Sequence, residues 1–130
     1  MTTTHATVWL DHRTARILTS LRPHPTAARV EDLRTRRQVH RKSGIPGSGK
    51  AEADHAFFDE IISAVAGSDE VLVVGPGFAK VQFHSYVAEH RPDLADRLVG
   101  VETVDHPSDG ELLSYARRYF QRVDQLRAAR

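Results

Sequence analysis

The stretch Val71-Leu72-Val73-Val74-Gly75-Pro76-Gly77 decides the fold of this 130-residue chain. Four consecutive apolar side chains, three of them valine, are typical of a strand that is covered on both faces, as in a parallel sheet. The Gly-Pro-Gly that follows breaks the strand. Helical patterns stand on both sides of this run, so the sequence predicts an α/β protein built around a buried strand.

Helices are predicted before and after this strand, over Ala53 to Ala66 and from about Phe78 to Glu89. Both have apolar side chains at helical spacing, and Gly67 ends the first. The expected buried stripes are Phe57, Ile61 and Val65 in the first helix and Ala79, Phe83 and Val87 in the second. Pro92 to Leu98 predicts one or two further helical turns.

The last helix has the clearest start signal in the chain. Ser108-Asp109-Gly110-Glu111 fits a capping box, in which the Ser and Glu side chains each accept a hydrogen bond from the other residue's backbone N–H. Arginines load the outer face and the C-terminal end, where positive charge also suits the helix dipole. The expected inner stripe is Leu112, Ala116, Phe120 and Val123.

Strands are predicted at both ends of this pattern. His5 to Asp11 alternates between apolar and polar residues, and Ala15 to Leu21 follows after a short turn. A weaker third strand lies within Arg29 to His40, and Val99 to Val104 is the last strand. The order is therefore three strands, then helix, strand, helix, strand, helix.

This order predicts a single domain over residues 1–130, a three-layer α/β fold with a mixed sheet of about five strands and helices on both faces. It is the order of a ribonuclease H-like fold, in which the first, fourth and fifth strands run parallel. Their C-terminal ends then share one edge, where open α/β sheets usually hold ligands.

Composition excludes several classes of site. The chain has no cysteine, which rules out disulfides, thiolate nucleophiles and Cys-ligated zinc. Its histidines show neither H-x-H nor H-E-x-x-H spacing, so we expect no metal. The N-terminus lacks the pattern of a signal peptide, and no apolar run approaches the length of a membrane span. We therefore expect a cytoplasmic protein without membrane contact.

A basic, glycine-rich segment without acidic residues, Leu33 to Ala51, stands out in a chain whose formal net charge is +1. Charge segregated in this way indicates contact with a polyanion. We predict a flexible loop over about 33–51 that binds RNA. The alternative is a solvated connection whose charges only aid solubility. The expected RNA-binding residues are Arg34, Arg36, Arg37, His40, Arg41, Lys42, Gly44, Gly47, Gly49 and Lys50.

Gly44 to Lys50 also fits G-x-x-x-x-G-K, the signature of a phosphate-binding loop. That mechanism needs a buried strand before the loop and a Ser or Thr after the lysine to bind magnesium. Residue 51 is Ala, and residues 39–43 are not an apolar strand. We therefore expect no bound nucleotide and no cofactor.

A second candidate site is expected at the C-terminal edge of the sheet, where an anion or another ligand could bind. Alternatively, Asp11, Asp105 and Asp109 could hold a divalent metal and cleave RNA, as ribonuclease H-like nucleases do. Turns and a helix start explain the same residues, and Gly75-Pro76 stands where a nuclease would have a carboxylate. We therefore assign no catalytic residue. The expected members of this edge are Asp11, His12, Lys80, Asp105, His106 and Asp109.

Several blocks of the chain carry a resemblance that spans nearly its whole length: WLDHRTARIL at 9–18, the basic glycine loop, FFDEI at 57–61, VLVVGPGFAK at 71–80 and GVETVDHPSDGELLSYARRYF at 100–120. They resemble the small bacterial family of translational machinery proteins. More distantly, the chain is similar to the middle domain of archaeal and eukaryotic class-1 release factors and their bacterial relatives. In those proteins a strand with a D-R-x-x-A-R-like sequence leads to a Gly-Gly-Gln loop, a long helix and a strand ending in Gly-Pro.

The resemblance implies a translation-associated factor with the ribosome, ribosomal RNA or tRNA as its partner. Here the loop reads Gly44-Ile45-Pro46-Gly47-Ser48-Gly49-Lys50, without the Gly-Gly-Gln whose glutamine helps position the water that attacks peptidyl-tRNA. We therefore expect RNA binding without peptidyl-tRNA hydrolase activity, and not an enzyme. A protein–protein adaptor is the remaining alternative, and the sequence assigns no oligomeric state.

Overall fold

The computed structural model describes residues 3–20, 33–40 and 50–128. The predicted order of strands and helices is confirmed, with Pro92–Ala95 forming a short additional helix. The elements are β1 (His5–Leu10), β2 (Thr14–Ser20), β3 (Leu33–His40), α1 (Lys50–Val65), β4 (Glu70–Gly75), α2 (Ala79–His90), α3 (Pro92–Ala95), β5 (Leu98–Thr103) and α4 (Asp109–Ala128).

The five strands form one mixed sheet in the order β3-β2-β1-β4-β5. β2 is antiparallel to both of its neighbours, β1 and β3. β4 is parallel to both β1 and β5, so the first, fourth and fifth strands run in the same direction, as predicted. Their C-terminal ends therefore lie at one edge of the sheet, opposite the edge where His5 and Glu70 pair at the strand starts.

Helices cover both faces of the sheet, and alternate residues of β4 show this directly. Val71 and Val73 pack in one apolar cluster, whereas Leu72 and Val74 pack in another. The first cluster includes Phe57, Ile61 and Val65 of α1 and Phe83 and Val87 of α2. The second includes Leu112, Ala116 and Phe120 of α4. The predicted inner stripes of all three helices are buried, apart from the half-buried Val123.

The central strand β1 is buried along its whole length. Its alternating sequence predicted one apolar face and one more polar face, yet Thr7 and Trp9 are as inaccessible as Val8. The difference arises because α4 covers the second face, so that a side chain such as Trp9 packs with Leu72 and Phe120 instead of meeting water.

The predicted loop over 33–51 is wrong at both of its ends. Leu33–His40 forms a strand hydrogen-bonded to β2, and α1 already begins at Lys50. Ladder partners on β2 satisfy the backbone of this charged stretch, which outweighs its weakly strand-like composition. The nine residues between these elements, 41–49, lie outside the described residues. None of the described helices is long and apolar enough to cross a membrane.

Candidate nucleic-acid interface and neighbouring polar clusters

The basic segment begins on an edge strand of the sheet. β3 is the outermost strand on its side, and Arg34, Arg36 and Arg37 all lie within it. Charged residues on an edge strand also protect a protein against pairing with another chain. These three arginines therefore have a structural explanation beside the RNA-binding one.

The end of β3 is firmly attached to the rest of the sheet. Val39 is buried, and its carbonyl oxygen accepts a 3.1 Å hydrogen bond from Oγ1 of Thr14. Gln38 Nε2 in turn donates to Thr14 Oγ1 at 3.4 Å. His40, the last residue of the strand, is exposed. His40 therefore lies at the surface, next to a residue whose position is held by packing and hydrogen bonds.

Of the remaining expected RNA-binding residues, the structure describes Lys50 alone. Lys50 is the first residue of α1, which meets one requirement of a phosphate-binding loop. The strand that precedes it is an edge strand antiparallel to β2 instead of a buried parallel strand, so the loop signature lacks its structural context. Five residues lie outside the described residues: Arg41, Lys42, Gly44, Gly47 and Gly49.

Three of the residues expected at the C-terminal edge, Asp105, His106 and Asp109, lie around Trp9 of β1. The indole Nε1 donates a 2.7 Å hydrogen bond to the carbonyl oxygen of Asp105, and the ring of His106 lies 5.1 Å away. The guanidinium of Arg16 stacks 4.7 Å above the indole and donates to Asp109 Oδ1 at 2.9 Å. A cation–π contact and an ion pair therefore join β1, β2 and α4.

Asp11 and His12, also expected at this site, lie in the turn between β1 and β2. Asp11 Oδ1 accepts hydrogen bonds from the backbone N–H groups of Arg13 at 2.8 Å and Thr14 at 2.9 Å. Such bonds are the usual way in which an aspartate stabilises a turn. His12 is exposed in the same turn.

Lys80, also expected at this edge, is nearly buried in the first turn of α2. It is 7% exposed, and its Nζ donates a 2.6 Å hydrogen bond to the carbonyl oxygen of Gly77. The ammonium is thus held against the Gly-Pro-Gly turn at the start of α2. It lines a cavity of about 440 Å³ together with Phe78 and Val101.

The three aspartates of the nuclease alternative are not brought together. Asp11 accepts hydrogen bonds in its turn, and Asp109 forms an ion pair with Arg16. The Asp105 side chain is 94% exposed, and its Oδ1 lies 2.8 Å from His106 Nδ1. Across residues 3–20, 33–40 and 50–128, ligand atoms of three His or acidic residues converge within 4.8 Å in a different group. Among the described residues, the three aspartates of the nuclease alternative therefore do not form a metal-ligand cluster at this edge.

This group, which the sequence did not predict, consists of His5, Glu70 and Asp124. It lies at the edge of the sheet where β1 and β4 begin. His5 starts β1, Glu70 starts β4 beside it, and Asp124 is on α4. His5 Nε2 lies 3.0 Å from Glu70 Oε1 and 3.6 Å from Asp124 Oδ2. Arg127 Nη1 donates to the second oxygen of Glu70. His5 and Glu70 are each 2% exposed, so a charged cluster sits under the end of α4.

The two carboxyl groups of this cluster are shifted in opposite directions. Burial opposes ionisation of Glu70, but the close contact with His5 and the charge of Arg127 outweigh it and lower the pKa of Glu70. Burial, together with the neighbouring Glu70 carboxylate, raises the pKa of Asp124. Two carboxyl groups this close favour the binding of positive charge between them.

The outer face of α4 carries a second basic surface, as its arginines predicted. Arg118 and Arg122 are exposed and border a cavity of about 320 Å³. The rings of Tyr115 and Tyr119 stack beside them, with centroids 6.2 Å apart. Tyr119 donates a 3.1 Å hydrogen bond to Glu102 Oε2, and burial together with this bond raises the pKa of Tyr119.

The sheet order, the parallel central strands and the helices on both faces define an α/β domain of the kind found in Pelota. The crystal structure of Pelota from Archaeoglobus fulgidus superposes with a TM-score of 0.68 at 16% identity, covering 99% of this chain and 36% of that protein. Pelota from Thermoplasma acidophilum gives 0.53 at 26% identity, covering 85% of this chain and 31% of that one. Archaeal aRF1, a translation termination factor, gives 0.46 at 15% identity over 96% of this chain and 40% of its own, and adds nothing to the assignment.

In sequence, the chain is similar to archaeal Pelota homologues. It is 30% identical over 82 residues to that of Methanococcus vannielii, over 59% of this chain and 23% of the relative. It is 49% identical over 49 residues to that of Methanoculleus marisnigri, over 37% of this chain and 14% of the relative. The chain thus spans less than a quarter of the length of these relatives. No protein-family model matches it, so the resemblance to a bacterial family stays a prediction.

Proposed function

We propose that this chain is a translation-associated factor that contacts ribosomal RNA or tRNA through the basic segment and does not hydrolyse peptidyl-tRNA. The similarity to Pelota in sequence and fold supports the link to translation. The missing Gly-Gly-Gln supports binding without hydrolysis. A cytoplasmic location is part of the same proposal.

The observation that carries the proposal is where the segment starts and ends. Its arginines begin on the outermost strand of the sheet, and Lys50 is the first residue of α1. A helix N-terminus adds partial positive charge and free backbone N–H groups, both of which favour phosphate. Arg41 and Lys42 lie in the sequence between these two anchored ends. The nine residues from 41 to 49 therefore place basic charge in the sequence between the end of β3 and the start of α1.

Pelleting of ribosomes with the chain across a salt series tests this proposal. The R41E/K42E variant changes two charges outside any described element, so folding is expected to be unaffected. We expect its association with ribosomes to weaken and the slope of log affinity against log salt to fall by roughly 0.7 to 0.9 for each phosphate that the variant no longer neutralises. Circular dichroism should show an unchanged fold.

The matched control is R118E/R122E, which reverses two exposed arginines on α4. We expect this control to associate like the wild type. Equal pelleting of R41E/K42E and wild type would contradict the proposal, and so would a loss confined to the α4 variant, which would move the interface to that helix. A chain that never associates with ribosomes or RNA would favour the adaptor alternative.

The nuclease alternative is tested in the same material by incubating RNA with and without Mg²⁺. Because ligand atoms of Asp11, Asp105 and Asp109 do not converge in the described structure, we expect no cleavage products in either condition. Magnesium-dependent degradation that D11N abolishes would overturn the assignment of a binding function without catalysis.

A further inference from the structure

The cluster of His5, Glu70 and Asp124 is separate from the basic segment and has the composition of a metal site. It offers one imidazole nitrogen and two carboxylate oxygens, and these three ligand atoms all lie within 4.8 Å of one another. Imidazole and carboxylate are the ligands that proteins use for zinc when cysteine is absent. The chain has no cysteine, and its local histidine spacing gave no sign of such a site.

The distances suit a tetrahedral ion. Ligands bound to zinc at 2.0 to 2.2 Å in that geometry lie about 3.3 to 3.6 Å apart. His5 Nε2 is 3.0 Å from Glu70 Oε1 and 3.6 Å from Asp124 Oδ2, so small side-chain adjustments would admit the ion. The ring of Phe120, 4.5 Å from that of His5, limits how the imidazole can turn.

One atom in particular is aimed into the cluster without a hydrogen bond. Glu70 is 2% exposed, and its Oε1 accepts no hydrogen bond from the residues that the structure describes. Its nearest charged neighbour on that side is His5 Nε2, at 3.0 Å. A simple ion pair with a protonated His5 would satisfy this oxygen through a hydrogen bond, whereas a shared ion would not require one.

The surroundings are also those of a metal ligand set. Arg127 donates to Oε2 of Glu70, which leaves Oε1 facing His5. Hydrogen bonds to the second oxygen orient ligating carboxylates in metal sites. The two carboxylates and Arg127 together carry one negative charge, which favours the binding of a divalent cation. The Asp124 side chain is 44% exposed, so an ion can enter from solvent on that side.

We propose that His5, Glu70 and Asp124 bind one zinc-class divalent cation that fastens the end of α4 to the N-terminal edge of the sheet. Because the three ligands come from β1, β4 and α4, the ion would hold these elements together, and its role is structural. Binding to the folded chain alone stabilises it by mass action, so the melting temperature should rise with zinc concentration. The fourth coordination position would be left to water.

Titration of the tag-free 130-residue chain with ZnCl₂ tests the site by calorimetry and thermal unfolding. We expect one equivalent to bind, the melting temperature to rise, and Co²⁺ in place of Zn²⁺ to give the d–d absorption of a tetrahedral site. The D124N variant removes a partly exposed ligand and should weaken binding by at least about tenfold. An excess of Mg²⁺ should not displace the ion, because magnesium prefers all-oxygen ligands.

The matched control is D109N, which makes the same change on the same helix at a similarly exposed side chain, 47% against 44%. We expect D109N to bind Zn²⁺ like the wild type. No binding by the wild type would refute the site and leave the cluster as an ion-pair network. Equal binding by D124N and wild type would refute it too, since scattered surface histidines would then carry the ion. Displacement by Mg²⁺ would overturn the zinc class.

Discussion

The indole nitrogen of Trp9 donates a 2.7 Å hydrogen bond to the backbone carbonyl oxygen of Asp105. This bond ties the end of β1 to the segment that leads into α4. Trp9 is 2% exposed and also carries the guanidinium of Arg16 on its ring. A single side chain thus joins the central strand to elements on both sides of it.

The W9F variant keeps an aromatic ring but removes this donor and part of the buried volume. We expect a loss of about 1 to 3 kcal/mol in the free energy of unfolding, from the missing hydrogen bond and imperfect repacking. Urea denaturation followed by circular dichroism measures it. Y119F, which removes a more exposed hydrogen bond to Glu102, should cost less, and the opposite ranking would contradict the role given to Trp9.

The capping box that the sequence predicted is present at the start of α4. The backbone N–H of Ser108 donates to Glu111 Oε1 at 2.8 Å, and that of Glu111 donates to Ser108 Oγ at 3.1 Å. The bond from the Ser108 backbone lowers the pKa of Glu111. We expect S108A to lose about 0.5 to 2 kcal/mol of stability in thermal or urea unfolding. S85A, at an exposed position within α2, should be neutral, and equal losses in the two variants would argue against a capping role.

Gly75 is required by the close approach of two strands. A Cβ at this position would lie 2.2 Å from the backbone carbonyl oxygen of Leu10, which belongs to the neighbouring strand and cannot turn aside. We expect G75A to destabilise the fold by about 1 to 3 kcal/mol, as overpacking does. G77A is the control, because a Cβ there meets nothing within 4 Å. If G75A and G77A have the same unfolding midpoint, the two strands can move apart to admit the Cβ at position 75.

The phenol of Tyr86 bridges α1 and α2 by donating a 2.7 Å hydrogen bond to Asp59 Oδ1. Burial, together with this bond and the Asp59 charge, raises the pKa of Tyr86 to about 12. Because the folded pKa is raised above the usual value of 10.0, the stabilisation is present below pH 10.0 and is lost as the pH rises toward about 12.

The difference between the ultraviolet titrations of wild type and Y86F isolates this tyrosine. We expect D59N to lower the Tyr86 midpoint, since it removes the carboxylate charge. D96N, at the exposed residue that follows α3, should leave the midpoint unchanged. If the Tyr86 midpoint is the same in D59N and wild type, burial and not Asp59 would account for the raised pKa.

Much of the architecture follows from local patterns that the tertiary structure then preserves. The apolar run at 71–74 became the buried strand β4, and the helical stripes of α1, α2 and α4 became the two cores. The extent of β3 was not predictable in this way. Its sequence is charged, and pairing with β2 rather than its own strand propensity makes it a strand.

The candidate sites depended far more on long-range contacts. The sequence predicted that Asp105, His106 and Asp109 lie at one edge, because the ends of parallel strands meet there, and in the structure they lie around Trp9. It did not indicate that Trp9 and Arg16 would engage them, or that Lys80 would fold back onto Gly77.

By itself, the sequence determined the order of strands and helices, the capped start of α4 and the concentration of charge in one segment, because each of these depends on neighbouring residues. Only the tertiary structure decided which polar groups meet. His5, Glu70 and Asp124 are far apart in the chain, and they converge because β1 pairs with β4 in one register and α4 packs across their ends. Register and helix docking are settled by the whole core, so no local pattern in the sequence contains them.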